Sequence, residues 1–320
     1  MSQSFNSRRS FLHHCAIAAS GMTFAKYAGT SELFAAAPKN LKKANIPVIC
    51  VFTRVFDTLG TDMFSFLSDA GFQGIDLTVR SGGFVAPEKV EKELPAAVRN
   101  AQRKGLSVPM IATAIVNGAD PLAERILKTA AACGVKYYRT GYYNYDSRLS
   151  IDQNLEAFKR NFLSLCELNA RYGLQACYQN HVGGAFGGSI WDLWYVIRGI
   201  DSRHVGCQYD IRHAVAEGLS TWQSGLKAIS PYVENLCIKD FIYENHNGNW
   251  GVRSVPLGTG AVDFKAFFDI IRSHQISGLM SMHIEFPLLS REDESQPVKE
   301  QMKKMLPLVR KEVDVLKSFL

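Results

Sequence analysis

Two carboxylates stand where apolar runs end in the second half of the chain, Asp210 after 205–209 and Glu285 after 278–284. A buried, unpaired carboxylate is costly, and a divalent cation is one partner that removes the cost. Around them, close to the ends of other apolar runs, lie groups able to bind metal, hold a hydroxyl or move a proton. They are Arg54; Asp76 and Arg80; Thr113 and Asn117; Arg139, Tyr142 and Tyr143; Gln179 and His181; His213; Lys239 and Asp240; and His283. Arg80 and Arg139 suit either an acidic or hydroxylated substrate or a solvated loop. Tyr142 and Tyr143 suit either packing or a wall for a sugar ring. Asp76 and Asp240 suit either a helix cap or a place behind the site, and His213, three residues after Asp210, can close a local hydrogen bond.

These groups need a scaffold that gathers strand ends. Eight apolar runs are spaced along the chain at 48–52, 74–79, 108–114, 137–140, 175–180, 205–209, 235–239 and 278–284. Several are nearly continuous rather than alternating, as expected of parallel strands covered on both faces. Amphipathic helical patterns lie between them at 62–70, 87–104, 121–133, 152–172, 190–200 and 263–274, and a last one runs from 296 to 319. Glycine follows several of these patterns, a helix-stop signature. Eight strand–helix units without a linker predict one domain, a single (β/α)8 barrel, whose site lies at the C-terminal strand ends. No glycine-rich phosphate fingerprint follows the first strand, which argues against a doubly wound sheet.

Several stretches resemble the xylose isomerase-like TIM barrels, the sugar phosphate isomerase/epimerase family. The run Gly206-Cys207-Gln208-Tyr209-Asp210-Ile211-Arg212-His213-Ala214 resembles that family's sixth-strand Asp-x-x-His motif, and Ile238-Lys239-Asp240-Phe241 its seventh-strand Lys-Asp motif. Val255-Pro256-Leu257-Gly258-Thr259-Gly260-Ala261-Val262-Asp263-Phe264 is similar to the family's PxGxGxVDF stretch, and His283-Ile284-Glu285 to its eighth-strand ending. The resemblance implies a divalent cation (Mn, Mg, Co or Zn) held by an acid on strand five, an Asp on six, a His on seven and a Glu on eight. By position these become Gln179, Asp210, Cys237 and Glu285, so two match and two depart. It also implies proton transfer beside a carbonyl of a sugar or keto-sugar, with the cation polarising that carbonyl. Glu285 then serves as one base, and His181 or Lys239 replaces the missing carboxylate on the opposite face. A lysine beside a cation in a closed cavity has its ammonium pKa depressed, which suits that role. Arg80, Arg139, Tyr142, His213 and His283 are expected to bind the substrate. A keto-sugar lyase or hydrolase using the same enediolate chemistry, or a non-catalytic sugar-binding barrel, are the alternatives.

Residues 1–37 carry Ser7-Arg8-Arg9-Ser10-Phe11-Leu12, an apolar stretch over 15–24, and Ala35-Ala36-Ala37. This is a twin-arginine export pattern with a small-residue cleavage site, so a periplasmic or exported barrel spanning 38–320 is expected. The segment holds Arg8, Arg9, Lys26 and Glu32, a net +2, which leaves +4 of the chain's +6 on the rest. That mild, dispersed charge does not suit nucleic-acid binding, and no run is long and apolar enough for stable membrane insertion. An oligomer is compatible with the pattern. The six cysteines beyond residue 37 show no disulfide framework and are expected to be free thiols.

Overall fold

The computed structural model describes residues 48–320; the expected export segment lies outside them. Eight parallel strands close into a barrel: β1 (Ile49–Phe52), β2 (Gly74–Thr78), β3 (Ser107–Ala112), β4 (Tyr137–Arg139), β5 (Gln175–Gln179), β6 (Val205–Asp210), β7 (Val233–Ile238) and β10 (Leu279–Met282), which returns to pair with β1. A separate antiparallel hairpin, β8 (Asp240–His246) and β9 (Asn249–Val255), is inserted after β7. The expected (β/α)8 barrel is therefore the observed fold. Strands β1, β2, β5, β6 and β10 are buried throughout, which is why they lack clean alternation.

The helices follow the predicted punctuation. They are α1 (Asp62–Asp69), α2 (Val90–Arg103), α3 (Pro121–Ala132), α4 (Ile151–Tyr172), α5 (Ile190–Ile197), α6 (Ile211–Gly218), α7 (Trp222–Ile229), α8 (Phe264–Ser273), the single turn α9 (Arg291–Glu294) and α10 (Val298–Phe319). The longest internal helix, α4, starts in a capping box formed by Ser150 and Gln153 and stops at Gly173, whose φ of 68° is the left-handed conformation that glycine accepts most readily. Two short helices, α6 and α7, were not expected from the pattern, and neither was the hairpin. The hairpin nevertheless carries a sequence signature: Asn247 and Gly248 both have positive φ and join strands in register, as a two-residue turn requires.

Inside the barrel the alternation of strand residues sets the layers. Cys50, Met110, Cys177 and Leu279 make a small apolar floor. Above it Asp76 accepts hydrogen bonds from Ser281 Oγ (3.0 Å) and Gln208 Nε2 (3.5 Å), so the interior turns polar toward the C-terminal ends. All six cysteines among the described residues are free thiols. No helix among those residues is long and apolar enough to cross a membrane.

Lys239 and Asp240, the two residues that follow β7, do different jobs because neighbours in extended chain face opposite ways. Asp240 turns toward the loop before α8 and receives four backbone N–H groups: Phe241 (2.8 Å) and Val262 (3.1 Å) on Oδ1, Gly258 (3.0 Å) and Gly260 (2.8 Å) on Oδ2. A Cβ at Gly260 would lie 2.3 Å from Asp240 Oδ1, so the close approach requires glycine. Of the two readings of Asp240, it is the residue behind the site; the cap of α8 is Asp263, which accepts the Ala266 N–H. Asp240→Asn turns an acceptor toward two of these donors into an NH2 group. We expect the free energy of unfolding to fall by about 2–3 kcal/mol at neutral pH in chemical denaturation. A change below roughly 0.5 kcal/mol would show that the loop is held by something else.

Candidate active site

Asp210 is at once the last residue of β6 and the N-cap of α6, and it is fully buried. Its Oδ1 accepts the His213 backbone N–H (3.1 Å), which explains the Asp-x-x-His spacing as a helix start. Asn180 fixes its backbone from the neighbouring strand end. It accepts the Asp210 N–H (2.7 Å) and donates to the Asp210 carbonyl (3.0 Å). The other carboxylate oxygen, Oδ2, receives Gln179 Nε2 at 2.7 Å and faces Lys239 Nζ at 3.2 Å.

Lys239 is the centre of the arrangement. Its Nζ lies 3.2 Å from Asp210 Oδ2 and 3.0 Å from Glu285 Oε2, with only 3% of the side chain exposed. Burial opposes an ammonium there, but the fields of the Asp210 and Glu285 carboxylates outweigh it and push the pKa above the ordinary lysine value. The sequence expectation of a depressed ammonium supposed a cation beside it; the two carboxylates that flank the nitrogen act in the opposite direction. Burial likewise opposes charge on Asp210 and Glu285, yet the positive groups around them hold both carboxyls well below the usual range. For Asp210 the effective cation is Lys239. His213 itself is buried beside Lys239 and Arg212, which holds its pKa down to about 2 and keeps it neutral. Arg212 can only donate, and its contact with His213 Nδ1 (2.9 Å) makes that nitrogen the acceptor.

On the β10 side, Glu285 extends past the strand and remains one-third exposed. Its Oε1 is 3.3 Å from His283 Nδ1. That contact places the Nδ1 proton and leaves Nε2, which is buried without a hydrogen-bond partner, as the acceptor nitrogen. The His283 ring stacks on Phe52 at 4.5 Å, and the Arg139 guanidinium covers the same ring at 4.7 Å and Arg80 at 5.6 Å. On the β5 side, His181 Nδ1 lies 2.9 Å from the Val182 carbonyl, an obligate acceptor, so Nε2 carries the free lone pair. Burial, then Lys239, lower the His181 pKa, which keeps the half-buried ring neutral at pH 7. Its ring rests on His213 (3.9 Å) and beside Tyr142 (5.3 Å).

The structure therefore gathers Gln179, His181, Asp210, His213, Cys237, Lys239, His283 and Glu285 with Arg139 and Tyr142, while Arg80 reaches the edge of the site over Phe52. Tyr143 separates from Tyr142 and packs into an aromatic core with Phe158, Phe162, Tyr178 and Phe186. Arg54 is exposed and donates to the Gly82 carbonyl. Sequence reasoning missed Phe52, Asn180 and Arg212. Phe52 ends β1 as the other site residues end their strands, but an aromatic there reads as core.

A divalent cation was expected on Gln179, Asp210 and Glu285, with Cys237 at the fourth position. The residues present do not fit that hard-ion set. Gln179 Oε1 accepts Arg139 NH1 (2.9 Å) and the Tyr142 hydroxyl (2.6 Å), while Nε2 faces Asp210 and lies 3.5 Å from Cys237 Sγ. Arg139 only donates and the Asp210 carboxylate only accepts, so the amide cannot turn its oxygen toward a shared ion. Asp210, Cys237 and His283 do bring one donor atom each within 4.8 Å of one another. That mixed O, S and N set suits a borderline-soft ion such as zinc better than Mg or Mn. Burial, then Asp210, push the Cys237 thiol well up, so it would have to lose a proton first. Glu285 stands outside this group.

The molecule is thus a (β/α)8 barrel with acid–base groups ringing the C-terminal ends of its strands. It belongs to the xylose isomerase-like TIM barrel family, whose sequence profile matches residues 64–308. Among curated proteins, no sequence match is found. Among solved structures, 3-keto-D-glucoside 4-epimerase from E. coli is similar at a TM-score of 0.59 and 16% identity, covering 83% of this chain and 100% of that one. D-Allulose 3-epimerase from Methylomonas sp. in complex with D-allulose gives 0.63 and 12%, over 86% and 97%. A xylose isomerase-like TIM barrel protein from Mycobacterium smegmatis in complex with magnesium gives 0.61 and 14%, over 86% and 97%. At these identities the likeness is one of fold.

Removing the ammonium tests its role in stability. Lys239→Met is expected to cost about 3–5 kcal/mol at pH 7, because two carboxylates lose their counter-charge. The pH dependence should also change sign. In the wild type the carboxyl pKa values lie below their unfolded values of about 3.9 and 4.3, so stability falls as pH drops through that range. Without Lys239, burial raises the folded pKa of Asp210, and stability should rise as pH falls from 7 to 5. Parallel denaturation curves for the two proteins across that range would rule this out.

Proposed function

We propose that the protein is a sugar or keto-sugar isomerase or epimerase that moves a proton on the carbon next to a carbonyl. One observation carries the reading: a buried ammonium stands between two carboxylates and is flanked by imidazoles with free acceptor nitrogens. Of the three N–H groups of Lys239, the two carboxylates take two. The third is free to meet a carbonyl oxygen and to stabilise the enediolate as charge develops there. His181 Nε2 is the base that takes the C–H proton. Strands β6 and β7 lie between its strand and that of Glu285, so the two groups approach a bound substrate from different sides. Return of the proton by His181 to the neighbouring carbon gives isomerisation; delivery of a proton from a water molecule on the Glu285 side, with His181 losing its proton to solvent, gives epimerisation. Arg139, Arg80 and Tyr142 hold the hydroxyls or an acidic group, and Phe52 lies under the ring nitrogen and guanidinium groups.

The fold neighbours named for 3-keto-D-glucoside and D-allulose epimerisation support a carbohydrate substrate of this type. The twin-arginine pattern supports work outside the cytoplasm, where free or oligomeric sugars are met rather than phosphorylated ones. No step is taken through a metal ion, because the expected ligand set does not fit one.

Incubation of aldoses, ketoses, uronates and 3-keto-glycosides in D2O tests the proposal through loss of a C–H proton in NMR spectra. The expected result is exchange or isomerisation of at least one substrate, reduced roughly 10²–10⁴-fold in His181→Ala. The value of kcat/KM should fall on acidification only below the ordinary imidazole pKa of about 6.5, since protonation removes the base. Sugar binding without any exchange would leave a binding barrel instead.

A further inference from the structure

We infer that the ammonium of Lys239 takes the place of a divalent cation in this barrel, so that the site is complete without bound metal. The inference rests on the proposed proton transfer for its catalytic meaning, but its geometry stands alone. Three features converge. The Lys239 nitrogen lies on both carboxylates, at 3.2 Å from Asp210 Oδ2 and 3.0 Å from Glu285 Oε2. An ion that drew on Asp210 Oδ2 and Glu285 Oε2 together would have to displace it.

The second feature is Gln179. A carboxylate at this position would face Asp210 across 2.7 Å and would require a cation between the two. The amide instead donates directly to Asp210 and passes its oxygen to Arg139 and Tyr142. Third, Cys237 brings sulfur to the ring of strand ends, within 3.5 Å of the same amide nitrogen. Sulfur there is not the oxygen or imidazole ligand that a hard cation such as Mg or Mn takes. The wall of the site therefore contains two carboxylates, Asp210 and Glu285, against the Lys239 ammonium and the Arg139 and Arg212 guanidinium groups, so side chains alone supply the positive charge that the carboxylates need. Lysine also supplies what the ion would supply to a reacting carbonyl, a fixed positive charge at the end of β7, without a coordination sphere to fill.

The test uses the full chain and the metals themselves. Wild-type protein expressed with added MnCl2 or ZnCl2 should purify with substoichiometric metal by mass spectrometry. Its thermal midpoint should move by less than about 1 °C with EDTA, Mn2+ or Zn2+, because an ion that does not bind cannot stabilise. Lys239→Met leaves Asp210 and Glu285 facing each other and should gain a Mn2+-dependent rise of several degrees. Stoichiometric metal in the wild type, or a rise of roughly 5 °C with Zn2+ through Asp210, Cys237 and His283, would overturn the inference. So would a folded Lys239→Met protein indifferent to Mn2+. None of these readouts uses a sugar. Metal-free wild type that exchanges no substrate proton would refute the proposed activity and leave this inference standing, whereas a metal-loaded active enzyme would do the reverse.

Discussion

A buried carboxylate at a strand end is unstable by itself, and the ammonium of Lys239 is what makes Asp210 tolerable at full burial. Such a pair is a poor source of net stability, since desolvating both ions offsets most of their attraction. Its value lies in what it forbids. With the ammonium in place, Asp210 stays ionised, caps α6 and receives the Gln179 amide, and those commitments fix the ends of β5, β6 and β7 relative to one another. Glu285 extends the same charge pair outward and aligns His283. The acid–base groups are therefore held by a chain of contacts that starts at one buried nitrogen.

The strand pleat then divides labour between adjacent residues. Lys239 points to the site, whereas Asp240 points away and gathers four backbone N–H groups from the loop that enters α8. Gly260 is part of the same device, because any side chain there would strike the Asp240 carboxylate. The Lys-Asp pair and the glycine-bearing stretch that begins at Val255, some fifteen residues later, thus belong together for a packing reason. Of the pair, only the lysine reaches the carboxylates of the candidate site.

Much of this was legible in the sequence because barrel strands announce themselves locally. Apolar runs of the right length and helix-ending glycines gave the eight units, and the strand ends gave Asp210, Lys239, His181 and His283. What was not legible depends on partners far apart in the chain. Phe52 becomes part of the site because β10 closes beside β1 and brings His283 onto its ring, while Arg139 reaches the same ring from the end of β4. Asn180 matters through its two contacts with the backbone of Asp210, thirty positions away. The direction of the Lys239 pKa shift was beyond a sequence for the same reason: it turns on which charged groups flank the nitrogen. Helix α6 escaped because Asp210 ends a strand and starts a helix without a loop between them.

The two departures from the family's ligand pattern make sense together. Gln179 and Cys237 look like damage when each is compared with an acid or a histidine that would hold an ion. Set beside Lys239, they form a consistent alternative. An acid at 179 would place a second negative charge against Asp210, too much for one ammonium already shared with Glu285, while the amide supplies a donor instead. The amide oxygen in turn satisfies Arg139 and Tyr142, so the substitution also anchors the wall on the β4 side. With an amide at 179, sulfur at 237 and Lys239 between the two carboxylates, the site's own side chains supply the positive charge that Asp210 and Glu285 need.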